Sequence, residues 1–187
     1  MFQRIIYTTK KMFKHKKQIS AIKGKHCIQS VTELRVDFLR DQSIKFVALD
    51  FDGVLAAHGK PELNADVKIW LDGFAKEFGQ ENIFILSNKP TQVRLEYFEM
   101  NYPQIRFISK VAKKPYPDGL LRVVDTVGCK PTDVALVDDR LLTGCLACIV
   151  AGCYPILITK PFVDYDNYTT SEKFFSFLRK WEQKFFL

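Results

Sequence analysis

Four points in the chain carry residues whose type and spacing could do chemistry. Asp50-Phe51-Asp52-Gly53 sets two carboxylates at i and i+2, directly after the apolar run 46–49. Two carboxylates leaving a strand on one side repel unless a cation or a proton lies between them, and a hard, oxygen-seeking Mg²⁺ meets that need. Gly53 lets the backbone turn sharply beside a ligand. Ser87 and Asn88 follow the run 83–86 and offer a hydroxyl and an amide suited to a phosphate oxygen. Lys113-Lys114-Pro115 supplies a cation, and Asp138-Asp139 closes the run 134–137 with a second acid pair. Each piece alone is an ordinary loop. Together they describe a Mg²⁺-dependent phosphoryl-transfer site with a carboxylate nucleophile.

The elements that must position these groups are legible as five apolar runs, 46–49, 83–86, 105–108, 134–137 and 156–158. None alternates polar with apolar residues, so each predicts a strand buried on both faces. The gaps between them hold segments of helical period, such as Val67, Trp70, Leu71, Phe74 and Phe78, then Leu120, Leu121, Val124 and Val127. Strands alternating with helices predict right-handed crossovers and an α/β, doubly wound parallel sheet. In such a sheet ligands bind beyond the carboxyl ends of the strands, which is where the polar groups fall. A last helix is predicted from the capping box Thr169-Thr170-Ser171-Glu172, with Phe174, Leu178, Trp181 and Phe185 packing on the sheet. Phe175, Phe177 and Phe186 make it apolar beyond one stripe and leave room for a partner or lipid contact. The five cysteines are odd in number and predict reduced thiols rather than a disulfide framework. Cys145-x-x-Cys148 with Cys153 has no following His, and a structural zinc site wants four well-spaced ligands.

The string Phe46-Val47-Ala48-Leu49-Asp50-Phe51-Asp52-Gly53-Val54-Leu55 resembles motif one of the haloacid dehalogenase (HAD) superfamily. Ile83 to Asn88 resembles motif two, Lys114-Pro115 motif three and Val134 to Asp139 motif four, all in order. The resemblance implies a Rossmann-like HAD fold in which Asp50 attacks phosphorus and Asp52 protonates the leaving oxygen, then activates water. It implies that Ser87, with Asn88 beside it, and Lys114 bind the phosphoryl group. Mg²⁺ would be held by Asp50, the backbone carbonyl of Asp52, and Asp139, with Asp138 a further candidate. The acid at position 52 points to a phosphatase rather than a dehalogenase. Finer similarity, at 31–39, 112–117, 139–143 and 151–158, is to subclass IIIA. That branch holds the YqeG-like phosphatases and the mitochondrial phosphatidylglycerophosphate phosphatase. Two departures stand out: the branch usually has Gly-Asp at motif four, where this chain has Asp138-Asp139, and an Asp after Thr143, where this chain has Gly144.

The intervals from Asp52 to Ser87 and from Ser87 to Lys114 are too short for an inserted cap domain. An open site suits a phosphate on something bulky, above all a lipid head group such as phosphatidylglycerophosphate. The net charge of +7 is uneven. Arg4, Lys10, Lys11, Lys14, Lys16, Lys17, Lys23 and Lys25 precede the first acid, Glu33, and the rest of the chain is near neutral. This excludes a uniformly basic nucleic-acid-binding domain. It divides the chain into a basic leader, 1–33, and a HAD-like domain, 34–187. Phe2, Ile5, Ile6 and Phe13 share one helical side of the leader, with Lys10, Lys14 and Lys17 opposite. Four readings stay open: a solvated tail, a helix adsorbed to an anionic membrane, a mitochondrial presequence, or an anchor on RNA. They correspond to a cytoplasmic protein, peripheral at the inner membrane face, or to one in the mitochondrial matrix. A weakly active or inactive HAD-fold binding protein, or an RNA-associated one, is the alternative to the phosphatase. No run of about 18 apolar residues is present that would span a bilayer.

Overall fold

Every one of the five apolar runs forms a strand, and a sixth comes from within the basic leader. The computed structural model describes residues 2–88, 90–165 and 168–186, with Lys25 and Ser171 described through the backbone alone. In chain order the elements are α1 (Phe2–Lys14), α2 (Lys16–Ser20), β1 (Cys27–Ile28), α3 (Val36–Asp41), β2 (Phe46–Leu49) and α4 (Ala65–Phe78). Then come β3 (Ile83–Ile85), α5 (Gln92–Asn101), β4 (Arg106–Phe107), α6 (Asp118–Val127), β5 (Val134–Asp138), α7 (Leu146–Ala151), β6 (Tyr154–Ile158) and α8 (Thr170–Phe186). The sheet is parallel throughout, in the order β1-β6-β5-β2-β3-β4. The chain enters at one edge with β1, crosses to the middle at β2, winds outward through β3 and β4, and returns through β5 and β6 to fill the space between β2 and β1.

Both faces of the central strands are covered, which is why their sequences are apolar without alternation. Val47 and Leu49 of β2, Ile83 and Ile85 of β3, and Ala135 and Val137 of β5 point into one core with residues of α4 and α5. Ala48, Phe84, Val134 and Leu136 point into the other, with residues of α6 and α7. The helix ends are chemically marked: Asn64 caps α4 through the Asp66 N–H (3.1 Å), and Thr91 caps α5 through the Arg94 N–H (3.4 Å).

Charge places a boundary at Glu33, but packing runs through it. Ile19 and Ile22 are buried against Leu141, Leu142, Cys145, Leu146 and Leu157. Cys27 and Ile28 pair in register with Leu157 and Ile158, and Val31 is fully buried. These anchors are single apolar residues set among lysines, so a charge count cannot register them. Ahead of them α1 is helical, with Phe2, Ile5, Ile6 and Phe13 exposed. The five cysteines are free thiols, and Cys145 and Cys148 are fully buried among apolar side chains. Among the described residues no helix is long and apolar enough to cross a membrane.

The final helix departs from expectation. Thr169 accepts the Glu172 N–H (3.2 Å), half of the capping box. The Glu172 carboxylate turns instead to the backbone N–H of His58 (3.3 Å), and the Ser171 side chain lies outside the described set. Phe174, Trp181 and Phe185 do not pack on the sheet; all three are exposed.

Candidate active site

Register sets the first contact in the site. Leu49 stands opposite Val137, so the residues that follow, Asp50 and Asp138, leave the sheet side by side. One more ladder bond, from the Asp50 N–H to the Val137 carbonyl (2.9 Å), holds that arrangement. On the other flank the Leu86 N–H donates to the Leu49 carbonyl (2.9 Å), bringing Ser87 and Asn88 to the same edge.

Lys114 arrives from the loop after β4 and is almost wholly buried. Its ammonium sits 2.9 Å from Asp50 Oδ1 and 2.5 Å from Asp138 Oδ2, and it donates to the Leu86 carbonyl (3.2 Å). The loop is held in place by Asn88, whose Oδ1 accepts the Lys114 backbone N–H (3.0 Å). Ser87, Asn88 and Lys114 line a cavity of about 210 Å³ that also takes in Ser109 and Lys110. The four sequence motifs therefore converge on one sheet edge.

The second acid of motif four is equally buried. Asp139 Oδ2 accepts from Arg179 Nη1 of α8 at 2.8 Å. Gly53, at φ 85°, passes so near that a Cβ there would lie 2.7 Å from the same oxygen. Gly144 is required for a related reason: a Cβ at that position would overlap the carboxylate of Asp138. Asp138 thus fills the space that a side chain at 144 would need, and from there it reaches Lys114.

Asp50, Asp138 and Asp139 each present a carboxylate oxygen, all within 4.8 Å of one another. Burial pushes the Asp50 carboxyl up to about 8; Lys114 works against the shift, and the charges of Asp138 and Asp139 add to it. Asp139 is pushed up to about 7 by burial and by Asp138, against the pull of Arg179 and Arg140. Burial also disfavours the charge on Lys114, but Asp138 and Asp50 outweigh it and hold the ammonium above the usual lysine range. Three acids and two cations leave a demand for positive charge at the cluster. A buried, all-oxygen donor set of this kind fits Mg²⁺.

The Asp52 side chain lies apart from this cluster. The chain turns at Gly53, and both Asp52 oxygens meet the guanidinium fork of Arg94, at 2.7 Å and 3.3 Å, while the Gly59 N–H donates to Oδ1 (3.2 Å). Like-charge repulsion therefore acts among Asp50, Asp138 and Asp139 rather than between Asp50 and Asp52. Arg94 itself is buried, stacked over Phe51 (3.8 Å) and bonded to the Lys60 carbonyl. Removing it strands Asp52 and opens a hole over Phe51. Arg94→Met is expected to cost about 3–5 kcal/mol in urea denaturation, as for a broken buried ion pair. Arg94→Lys should recover little of this, because an ammonium cannot reproduce a two-pronged contact. A loss under 1 kcal/mol would mean that the pair carries no structural weight.

Neither Arg94 nor Arg179 stands out in the sequence as a site residue. A weak signal exists for Arg94, which shares a helical face with the buried Phe98. For Arg179 the signal is masked, since its helix reads as an aromatic stripe.

The family comparison agrees with this geometry. No curated protein matches the chain. A family model described as Mitochondrial PGP phosphatase matches residues 6–163, spanning all four motifs and ending ahead of α8. With the Rossmann-like sheet and the edge cluster already in view, the match makes the protein a phosphatase. The chain belongs to the mitochondrial PGP phosphatase family of the HAD superfamily.

Proposed function

We propose that the protein hydrolyses the phosphate monoester of phosphatidylglycerophosphate, with Asp50 as nucleophile. The observation that carries the reading is the Lys114 ammonium seated between Asp50 and Asp138 at the carboxyl edge of the sheet. It fixes the attacking oxygen and offers a charge to the phosphoryl group that approaches it. Asp50 forms a bond to phosphorus as the bond to the glycerol oxygen breaks, and Asp52 gives that oxygen its proton. Asp52 then takes a proton from water, whose oxygen attacks the aspartyl-phosphate and releases inorganic phosphate and free Asp50. To serve in both steps, Asp52 exchanges its contact with Arg94 for one with the substrate. Ser87 would hold a non-bridging phosphate oxygen. Asp50, the Asp52 carbonyl and Asp139, with Asp138 adjacent, would hold Mg²⁺, which neutralises charge on the phosphoryl oxygens and the acids around them.

The family description supports a mitochondrial setting and a phospholipid substrate. The test is phosphate release from vesicles containing phosphatidylglycerophosphate, with Mg²⁺ or with a chelator. Release that requires Mg²⁺ is expected. Equal release in chelator would remove the metal from the mechanism, and turnover confined to water-soluble phosphates would remove the lipid.

The raised carboxyls give the metal a defined pH dependence. Asp50 and Asp139 keep protons in the folded state up to about 8 and about 7, so the metal must displace those protons. Mg²⁺ affinity is expected to fall as pH drops through this range, by about tenfold per unit for each proton displaced. Without metal the sign for stability is the opposite: an acid whose folded value is raised favours the folded state at low pH and loses that contribution as pH rises. Calorimetric titration at pH 6 and pH 8.5 in two buffers of different ionisation enthalpy reads both affinity and proton release. An affinity independent of pH would contradict the burial argument.

A further inference from the structure

Helix α8 has its amphipathic pattern reversed. Glu172, Arg179 and Glu182 are all buried, while Phe174, Phe177, Trp181 and Phe185, spaced to share one face, are all exposed. Polar anchors fix this orientation. Besides the Arg179 contact with Asp139, Glu182 Oε1 accepts from Arg140 Nη2 (2.6 Å), and Oε2 accepts the backbone N–H groups of Leu141 (2.9 Å) and Leu142 (3.3 Å). Rolling the helix to bury its aromatics would leave these charges without partners, at a cost larger than the aromatic burial returns.

Helix α1 shows the same polarity. Phe2, Ile5, Ile6 and Phe13 point outward, while the ring of Tyr7 on the inner side packs at a tilt against Tyr116 in the loop that carries Lys114 (4.4 Å between centroids). The two helices adjoin. Met12, Phe13 and Lys16 face Trp181, Phe185 and Phe186 across an apolar groove of about 210 Å³. A contiguous apolar and aromatic surface of this kind marks an interaction site.

The charges around the surface indicate what it meets. Residues 2–20 contain no acid, and the two acids of α8 are both turned inward. The exposed charges are therefore all cations: Arg4, Lys10 and Lys14 on α1, with Lys16 and Lys17 just beyond it on α2, and Lys173, Lys180 and Lys184 on α8. Aromatic rings beside lysines, on helices lying in one surface, match the interface of an anionic bilayer.

We propose that α1 and α8 together form a platform that lies on an anionic lipid bilayer, with the aromatic stripes among the head groups and the lysines on lipid phosphates. This deepens the lipid-phosphatase reading and rests on it. Because α8 is bonded to Asp139 and α1 packs on the Lys114 loop, the platform sets the site beside the surface that carries the substrate.

The test uses the full chain and vesicles of phosphatidylcholine with or without phosphatidylglycerol. Wild type should sediment with the anionic vesicles and much less with the neutral ones. Phe177→Ser/Phe185→Ser should lower affinity for anionic vesicles by about tenfold or more. Lys10→Glu/Lys14→Glu should lower it by at least about tenfold and abolish the preference for anionic lipid. Neither pair touches the site, so thermal melting and turnover of a soluble aryl phosphate should match wild type and show that the fold is kept. Undiminished vesicle binding by both variants overturns the platform. So does a wild type that ignores vesicles and self-associates through these residues in sedimentation, which would make a second copy the occupant. If wild type binds as expected but does not hydrolyse phosphatidylglycerophosphate, the platform stands and the substrate assignment falls. If the lipid is hydrolysed in detergent micelles while both variants bind vesicles like wild type, the platform falls and the assignment stands.

Discussion

Asp50→Asn is expected to lower Mg²⁺-dependent phosphate release by about three orders of magnitude or more, while the protein keeps its fold. An amide has the same shape but cannot form the bond to phosphorus. The neighbours of the site survive the change, because Lys114 retains Asp138 at 2.5 Å and the Leu86 carbonyl at 3.2 Å. Stability should move in the other direction. The Asp50 carboxyl is pushed up to about 8, first by burial and then by the charges of Asp138 and Asp139. Ionising it in the metal-free protein is therefore unfavourable, and its neutral isostere avoids that penalty. Without Mg²⁺ at pH 8.5 the variant should melt at or above the wild-type temperature, with the gap closing at pH 6. Residual turnover within tenfold of wild type would end the nucleophile assignment, whatever the melting curves report.

The second large effect is expected at a residue with no side chain. Gly144→Ala places a methyl group on the Asp138 carboxylate, which is itself fully buried and paired with Lys114. The clash cannot be relieved by a flexible tip, since the carboxylate is also held by the Arg140 backbone N–H (2.9 Å). Overpacking and displacement of a buried ion from its partner act together here. A loss of about 3 kcal/mol or more is expected in chemical denaturation, with activity falling as Lys114 loses its place. Asp138→Gly/Gly144→Asp offers a sharper check. It removes the obstruction and returns a carboxylate to the same space from the opposite side. That exchange should recover much of the stability and turnover that Gly144→Asp alone destroys. A neutral Gly144→Ala would show that Asp138 is free to move and that the two positions are not coupled. The coupling also accounts for the two departures from the subclass pattern: an acid at 138 and a glycine at 144 are one steric solution.

A good deal of this molecule could be read before any coordinates. Strands buried on both faces require uninterrupted apolar runs, and 46–49, 83–86 and 134–137 have no other use in a chain of this length. A parallel sheet gathers whatever follows its strands at one edge, so Asp50, Ser87 and Asp138 had to be neighbours once the runs were strands. Lys114 followed by resemblance. The same logic failed where an element is short or reversed. Cys27 and Ile28 form a strand only because β6 offers an edge, and no local pattern announces it. The aromatic stripe of α8 obeys the helical period but reports nothing about which way the helix faces.

That direction was decided by tertiary contacts. The inward turn of α8 depends on Asp139 and on the backbone N–H groups of Leu141 and Leu142, which lie some 40 residues earlier in the chain. The spacing of Asp50 and Asp52 predicts that they face each other across a cation, but Asp52 pairs with Arg94, 42 residues away. Sequence determined the sheet, its edge and the chemical types assembled there, because periodicity and burial are local properties. Which carboxylate meets which cation depended on long-range approach, since a buried charge takes the partner that the packed fold brings within reach.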